Sequence, residues 1–183
     1  MKKLTIVAIL AAGVILGYTG RVFTQAQTGQ KLPVVGYEAA KDIPGAKEMV
    51  DPNGDYKVLF DVTAKVKDTE VEPILPLMAT YVNTLAKNGV PASHRHIVAL
   101  FHQGGGDAVF SNEVYKSRHN GADNPNIAIL RALADAGVEL HVCGQGLLGK
   151  KVEQSQLLPG VQADYWALVT VINLQQRGYV KVG

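Results

Sequence analysis

Cysteine is almost absent from this chain: 183 residues contain one, Cys143. A disulfide needs a pair, so none forms within the molecule and the fold rests on packing alone. No cysteine stands near residue 20, which excludes a lipid-anchored N-terminus. Net charge is scarce as well. A formal +2 is too small an electrostatic footprint for nucleic acid. Lys2, Lys3 and Arg21 lie in a stretch with no Asp or Glu, so the chain beyond residue 26 carries about −1. That balance also makes acidic membrane surfaces poor partners. Missing too is an apolar run of the roughly 20 residues that a membrane-spanning helix needs.

A shorter apolar run is present at the start. Lys2-Lys3 precedes a segment from Leu4 to Leu16 that is apolar apart from Thr5, and Thr24-Gln25-Ala26 supplies small residues for cleavage. This is the layout of a signal peptide over residues 1–26. The two lysines direct the rest of the protein to the far side of the membrane. The expectation is an exported protein, periplasmic or equivalent, free of the membrane after cleavage. An uncleaved signal anchor is the alternative, and a buried N-terminal helix a third reading.

The remainder suits one domain. With 47% hydrophobic and 19% charged residues it can bury a core of ordinary size. Residues 27–54 hold Pro33, Pro44, Pro52, Gly36, Gly45 and Gly54 without a sustained period, and read as an extended lead-in. From residue 55 strand-like and helix-like segments alternate. Tyr56–Val62 is rich in β-formers. Thr69 and Glu72 stand at capping-box spacing ahead of Ile74, Leu77, Met78, Tyr81, Val82 and Leu85, which recur at helical spacing. Residues 96–101 form a nearly continuous apolar run, as in a strand buried on both faces. A short helix over residues 112–116 is expected, then a longer one over 124–136 with Asn124 as N-cap, Pro125 in its first turn and Gly137 beyond its end. A strand over 138–142, a short helix from Leu147, a helix over 165–176 and a strand over 179–182 complete the pattern. Such alternation predicts a parallel, three-layer α/β sheet.

Ligands in open α/β sheets sit beyond the carboxyl ends of the strands. Asp61, His102 and Cys143 lie at or near such ends. Cys143 directly precedes Gly144-Gln145-Gly146, whose backbone N–H groups can support a thiolate at a helix start. His141 shares a strand face with Glu139 and Cys143, which marks a cleft or a subunit interface and makes His141 a proton partner by proximity. The bland account is an inert, buried cysteine beside strand-end polarity. Gly144-Gln145-Gly146-Leu147-Leu148-Gly149 matches G-x-G-x-x-G, but it follows the third strand rather than the first, so it reads as a tight turn rather than a dinucleotide site. His94-x-His96 has no carboxylate or thiol at ligand spacing, so no metal is expected. Ser93 and Ser111 lack the context of a nucleophile elbow. Lys150-Lys151 reads as a solvated face.

Several segments resemble a known family. They are Tyr56-Lys57-Val58-Leu59-Phe60-Asp61, Pro73-Ile74-Leu75-Pro76, Tyr81-Val82-Asn83 and Phe101-His102 followed by glycines. Val142-Cys143-Gly144-Gln145 and Leu174-Gln175-Gln176-Arg177-Gly178-Tyr179 extend the likeness. Together they are similar to the DsrE family, in its exported branch, from about Tyr56 to the C-terminus. The resemblance implies a small Rossmann-like domain with a mostly parallel sheet of about five strands, assembled into a homo-trimer or hexamer. Relatives of the DsrEFH and TusBCD type carry sulfane sulfur as a cysteine persulfide and pass it between proteins. Their functional cysteine follows the strand that ends here at Val142, so the resemblance puts that role on Cys143. No cofactor is expected, and the sulfur donor and acceptor stay open. A non-catalytic oligomeric binding module with an inert cysteine is the alternative.

Overall fold

The structure is a computed structural model and describes residues 31–183. The expected signal peptide and the first residues of the lead-in lie outside the described residues. Five strands form one parallel sheet: β1 (Tyr56–Val62), β2 (Arg95–Phe101), β3 (Glu139–Cys143), β4 (Val161–Asp164) and β5 (Val180–Val182). Their order in space is β4-β3-β2-β1-β5. Helices α1 (Ile74–Lys87), α2 (Asn112–Arg118), α3 (Ile127–Asp135), α4 (Gly144–Lys150) and α5 (Ala167–Gln176) connect them. The result is the three-layer, Rossmann-like α/β domain that the alternation predicts.

Period-two alternation sends successive side chains of each strand to opposite faces. Val58, Phe60 and Val62 join Ile97, Ala99 and Phe101 in the larger core, against α1 and α3. Leu59, Val98, Leu100 and Cys143 form a smaller core on the other face, covered by Ala167 and Leu174 of α5. One face is therefore thickly covered and the other rests on a single helix. Leu147 of α4 belongs to the larger core. The connections after β3 and β4 thus leave toward opposite faces, and the crevice between these two neighbouring strands is the topological switch point of the sheet.

Several element starts differ from the sequence expectation. α1 begins at Ile74 with Pro73 as N-cap and no side-chain cap, so the Thr69–Glu72 capping box does not form. Pro73 and Pro76 fit because the first turn of a helix has free N–H groups to lose. α3 begins at Ile127 rather than near Pro125, with Asn126 at its N-cap, although Asn124 still makes the capping-type bond to the second residue beyond it. Asn124 Nδ2 donates to the carbonyls of Ala108 and Phe110, and its Oδ1 accepts from the Asn126 amide. α4 starts at Gly144, directly after β3, without the intervening turn expected before Leu147. The lead-in is irregular but fastened. Asn83 on α1 accepts from the Val34 amide and donates to the carbonyls of Val34 and Tyr37, and Val34 is fully buried.

Candidate functional site

Cys143 ends β3 and lies opposite Asp164, the last residue of β4. The chain turns into α4 without a spacer, which brings Gly144 against the end of β4. A Cβ on Gly144 would stand 2.5 Å from the Asp164 carbonyl oxygen, so only glycine permits this approach. Cys143 Sγ accepts a hydrogen bond from the Ala167 amide at 3.4 Å. Ala167 is the first residue of α5, so the N–H reaching the sulfur comes from the helix across the crevice. Gly144, Gln145 and Gly146 are the opening residues of α4 itself, and Gln145 Nε2 donates to the Tyr165 carbonyl, tying α4 to the segment that leads into α5. Cys143 is 6% exposed. The cavity beside it measures about 10 Å³, space for one water, and is lined by His102, Gln103, Val142, Gly146 and Lys150 among others.

His102 brings a second polar chain to this cavity. Its Nε2 lies 2.6 Å from Asp61 Oδ1, and the Lys181 ammonium lies 2.7 Å from Asp61 Oδ2. Asp61 comes from β1, Lys181 from β5 and His102 from the residue just beyond β2, and Asp61 is buried with both oxygens engaged. His141 goes elsewhere. Its Nδ1 pairs with Asp164 Oδ2 at 2.9 Å and its Nε2 faces Glu139 Oε2 at 3.4 Å. Burial opposes charge on His141, but the hydrogen bond and charge of Asp164, aided by Glu139, outweigh it and raise its pKa. Asp164 accepts from Thr170 Oγ1 as well, and its own pKa falls despite burial. The carboxylates on both ring nitrogens make His141 a member of an ion-pair network on the thin face. The structure thus brings Asp61, His102 and Cys143 to one end of the sheet, with His141 turned toward Asp164. His96 pairs with Asp55 at the opposite strand ends.

A second group of polar side chains escaped the sequence reading. Beyond β1 and β2 a pocket of about 290 Å³ is lined by Lys65, Asp68, Glu72, Asp107, Tyr115 and His119, among others. His119 Nδ1 pairs with Asp68 at 2.8 Å and Nε2 with Asp107 at 3.2 Å, while its ring stacks on Tyr115 at 3.8 Å. Lys150 pairs with Asp107 and donates to the Gln103 carbonyl, so it is pinned rather than solvated. Gln103 and Lys150 line this pocket and the Cys143 cavity alike. Asp68 and His119 are far apart in sequence and follow no motif. The one available signal was the rule that ligands collect beyond strand ends.

The sequence itself places the fold. Residues 57–182 match the DsrE/DsrF-like family, and the chain belongs to that family. It is similar in fold to MTH1491, a protein of unknown function from Methanobacterium thermoautotrophicum. The likeness has a TM-score of 0.50 and 19% identity, over 70% of this chain and 98% of that one. No curated protein matches the chain.

Proposed function

We propose that this protein is an exported sulfur carrier that holds sulfane sulfur as a persulfide on Cys143. The observation that carries the reading is the setting of the sulfur. Cys143 lies in the switch-point crevice, under the first amide of α5, in a cavity that it shares with a histidine held by a buried aspartate. An N–H aimed at sulfur stabilises negative charge there, as does the N-terminal end of a helix. His102, steadied by Asp61, is the group we assign to take the thiol proton. The Cys143 thiolate then attacks the outer sulfur of a polysulfide or thiosulfate. The donor S–S bond breaks, the shortened polysulfide or sulfite leaves, and a new S–S bond forms on Cys143. With no second cysteine in the chain, an external thiolate must attack that outer sulfur and release Cys143. Loading requires the cavity beside the sulfur to widen, because it holds no more than a water.

One observation favours the other reading, a non-catalytic oligomeric binding module. Cys143 is 6% exposed, as an inert structural cysteine would be. Mass spectrometry separates the two. Reduced protein incubated with polysulfide should gain the mass of one sulfur, removable by a small thiol, and Cys143→Ser should gain none. Serine uptake equal to wild type, or no uptake by either, gives the case to the binding module.

A further inference from the structure

We propose that the pocket beyond β1 and β2 binds a small organic molecule through a primary ammonium group, which hydrogen-bonds the carboxyl of Glu72. This pocket adjoins the Cys143 cavity, with Gln103 and Lys150 in the walls of both, but the proposal does not depend on the sulfur chemistry.

The pocket walls are already paired. Asp68 is engaged by His119 and Asn120, Asp107 by His119 and Lys150, and the Tyr115 hydroxyl donates to the Asp68 carbonyl. These contacts lock three loops and α2 around an open space, rather than closing it. Glu72 is the exception. It is 2% exposed, it lines the pocket, and its Oε2 is buried with no hydrogen-bond partner among the described residues. Its backbone is fixed, because the Glu72 amide donates to Asn126 Oδ1 at 2.9 Å. A buried polar atom held in place without a partner costs stability and needs an explanation. Three non-glycine residues with positive φ, Gln103, Asn120 and Lys151, stand in or beside this pocket, a conformation that most side chains avoid.

The chemistry of the open valence selects the ligand. An unpartnered carboxyl oxygen calls for a donor. Of the three carboxyls here, Asp68 and Asp107 are already held by His119 and Lys150, which leaves Glu72 as the carboxyl with no basic group paired to it among the described residues. An anion brought here would meet the carboxyls, whereas an ammonium group adds charge of the missing sign and supplies N–H donors. Lys65 stands at the exposed rim, where water screens it. Burial raises Glu72 to a pKa of about 7, so an arriving ammonium also restores the carboxylate that burial suppresses. The volume, about 290 Å³, lies at the lower end of the roughly 300–1,000 Å³ typical of ligand pockets, which sets the ligand at the size of a small metabolite.

Amide NMR on the full chain tests the proposal with three probes of equal length: propylammonium, propan-1-ol and propionate. Propylammonium should give saturable shifts at the Glu72, Tyr115 and Asn126 amides in the millimolar range, and the other two should not. Glu72→Gln, which keeps the shape and removes the charge, should weaken propylammonium at least about tenfold, with the other amide signals unmoved. The three-probe comparison needs only the wild-type protein, so it decides even where the variant folds poorly. Propionate or propanol binding as well as propylammonium overturns the proposal. So does the absence of any saturable shift, or undiminished binding by the variant.

Discussion

Glu72 keeps in the folded chain a proton that an unfolded chain would release. Burial moves its pKa from the ordinary 4.5 to about 7. Between those values the native state binds more protons than the unfolded one, so stability falls as pH rises through that window. Below about pH 4.5 both states are protonated and the penalty vanishes; above about 7 it is complete. Each tenfold change in proton affinity is worth about 1.36 kcal/mol, which puts the ceiling at roughly 3 kcal/mol. Glu72→Gln carries no such charge. We expect the variant to exceed wild type in stability by about 1–3 kcal/mol at pH 8 and to match it near pH 4.5. Urea denaturation at the two pH values measures this, and equal differences at both would mean that folding leaves the Glu72 pKa unshifted. The same residue shows the reach of local patterns. Thr69-x-x-Glu72 has the spacing of a capping box, yet Pro73 takes the N-cap position and the glutamate side chain turns inward. His141 is a parallel case: adjacency in the strand pointed to Cys143, while the nearest acceptors are Asp164 and Glu139.

At the level of elements, the junction of β3, α4 and β4 concentrates the constraint. Gly144 sits where any Cβ would press on the Asp164 carbonyl. Gly144→Ala must push β4 away from Cys143, which we expect to cost about 1–3 kcal/mol and to disturb the Ala167 amide above the sulfur. Thermal denaturation and thiol labelling of Cys143 would show both effects, and an unchanged melting temperature would mean that the crevice yields freely. This junction was only partly legible in the sequence. β1 and β2 announced themselves by runs of β-branched and aromatic residues that are buried in the larger and smaller cores. α1 did so through Met78, Val82 and Leu85, which point inward, although Leu77 of the same expected stripe is exposed. β4 gave no such sign, because it is an edge strand, Val161-Gln162-Ala163-Asp164, with Gln162 and Ala163 exposed. Without β4 the opposite partner of Cys143 could not be known, nor could the crevice. The polar pocket was hidden for a different reason. Asp68 and His119 meet across 51 residues, and periodicity carries no information about contacts between loops.

The whole molecule leaves one helix underused. α5 places Ala167 and Leu174 against the sheet, yet Leu168, Val169 and Ile172 are exposed, with Tyr165 one turn ahead of them. Residues 165, 168, 169 and 172 fall at helical spacing, so α5 carries a second apolar stripe facing away from its own core. Glu139, Gln162 and the His141–Asp164 pair lie on the same thin face of the sheet. A second copy of the chain is the occupant that the sequence resemblance implies, as a trimer or hexamer, and covering this stripe would remove its apolar surface from water. Export and assembly can be read from one preparation. Protein recovered from the periplasm should begin near Gln27 by intact mass, and light scattering should return a multiple of the subunit mass. Ile172→Asp puts a charge in the middle of the stripe without touching the buried side of α5. It should shift the assembly to monomer while leaving the fold intact, because Ile172 is exposed and stands outside the smaller core that Ala167 and Leu174 cover. A wild-type monomer at micromolar concentration would remove the case for self-association. An Ile172→Asp variant that assembles as wild type does would move the interface away from α5.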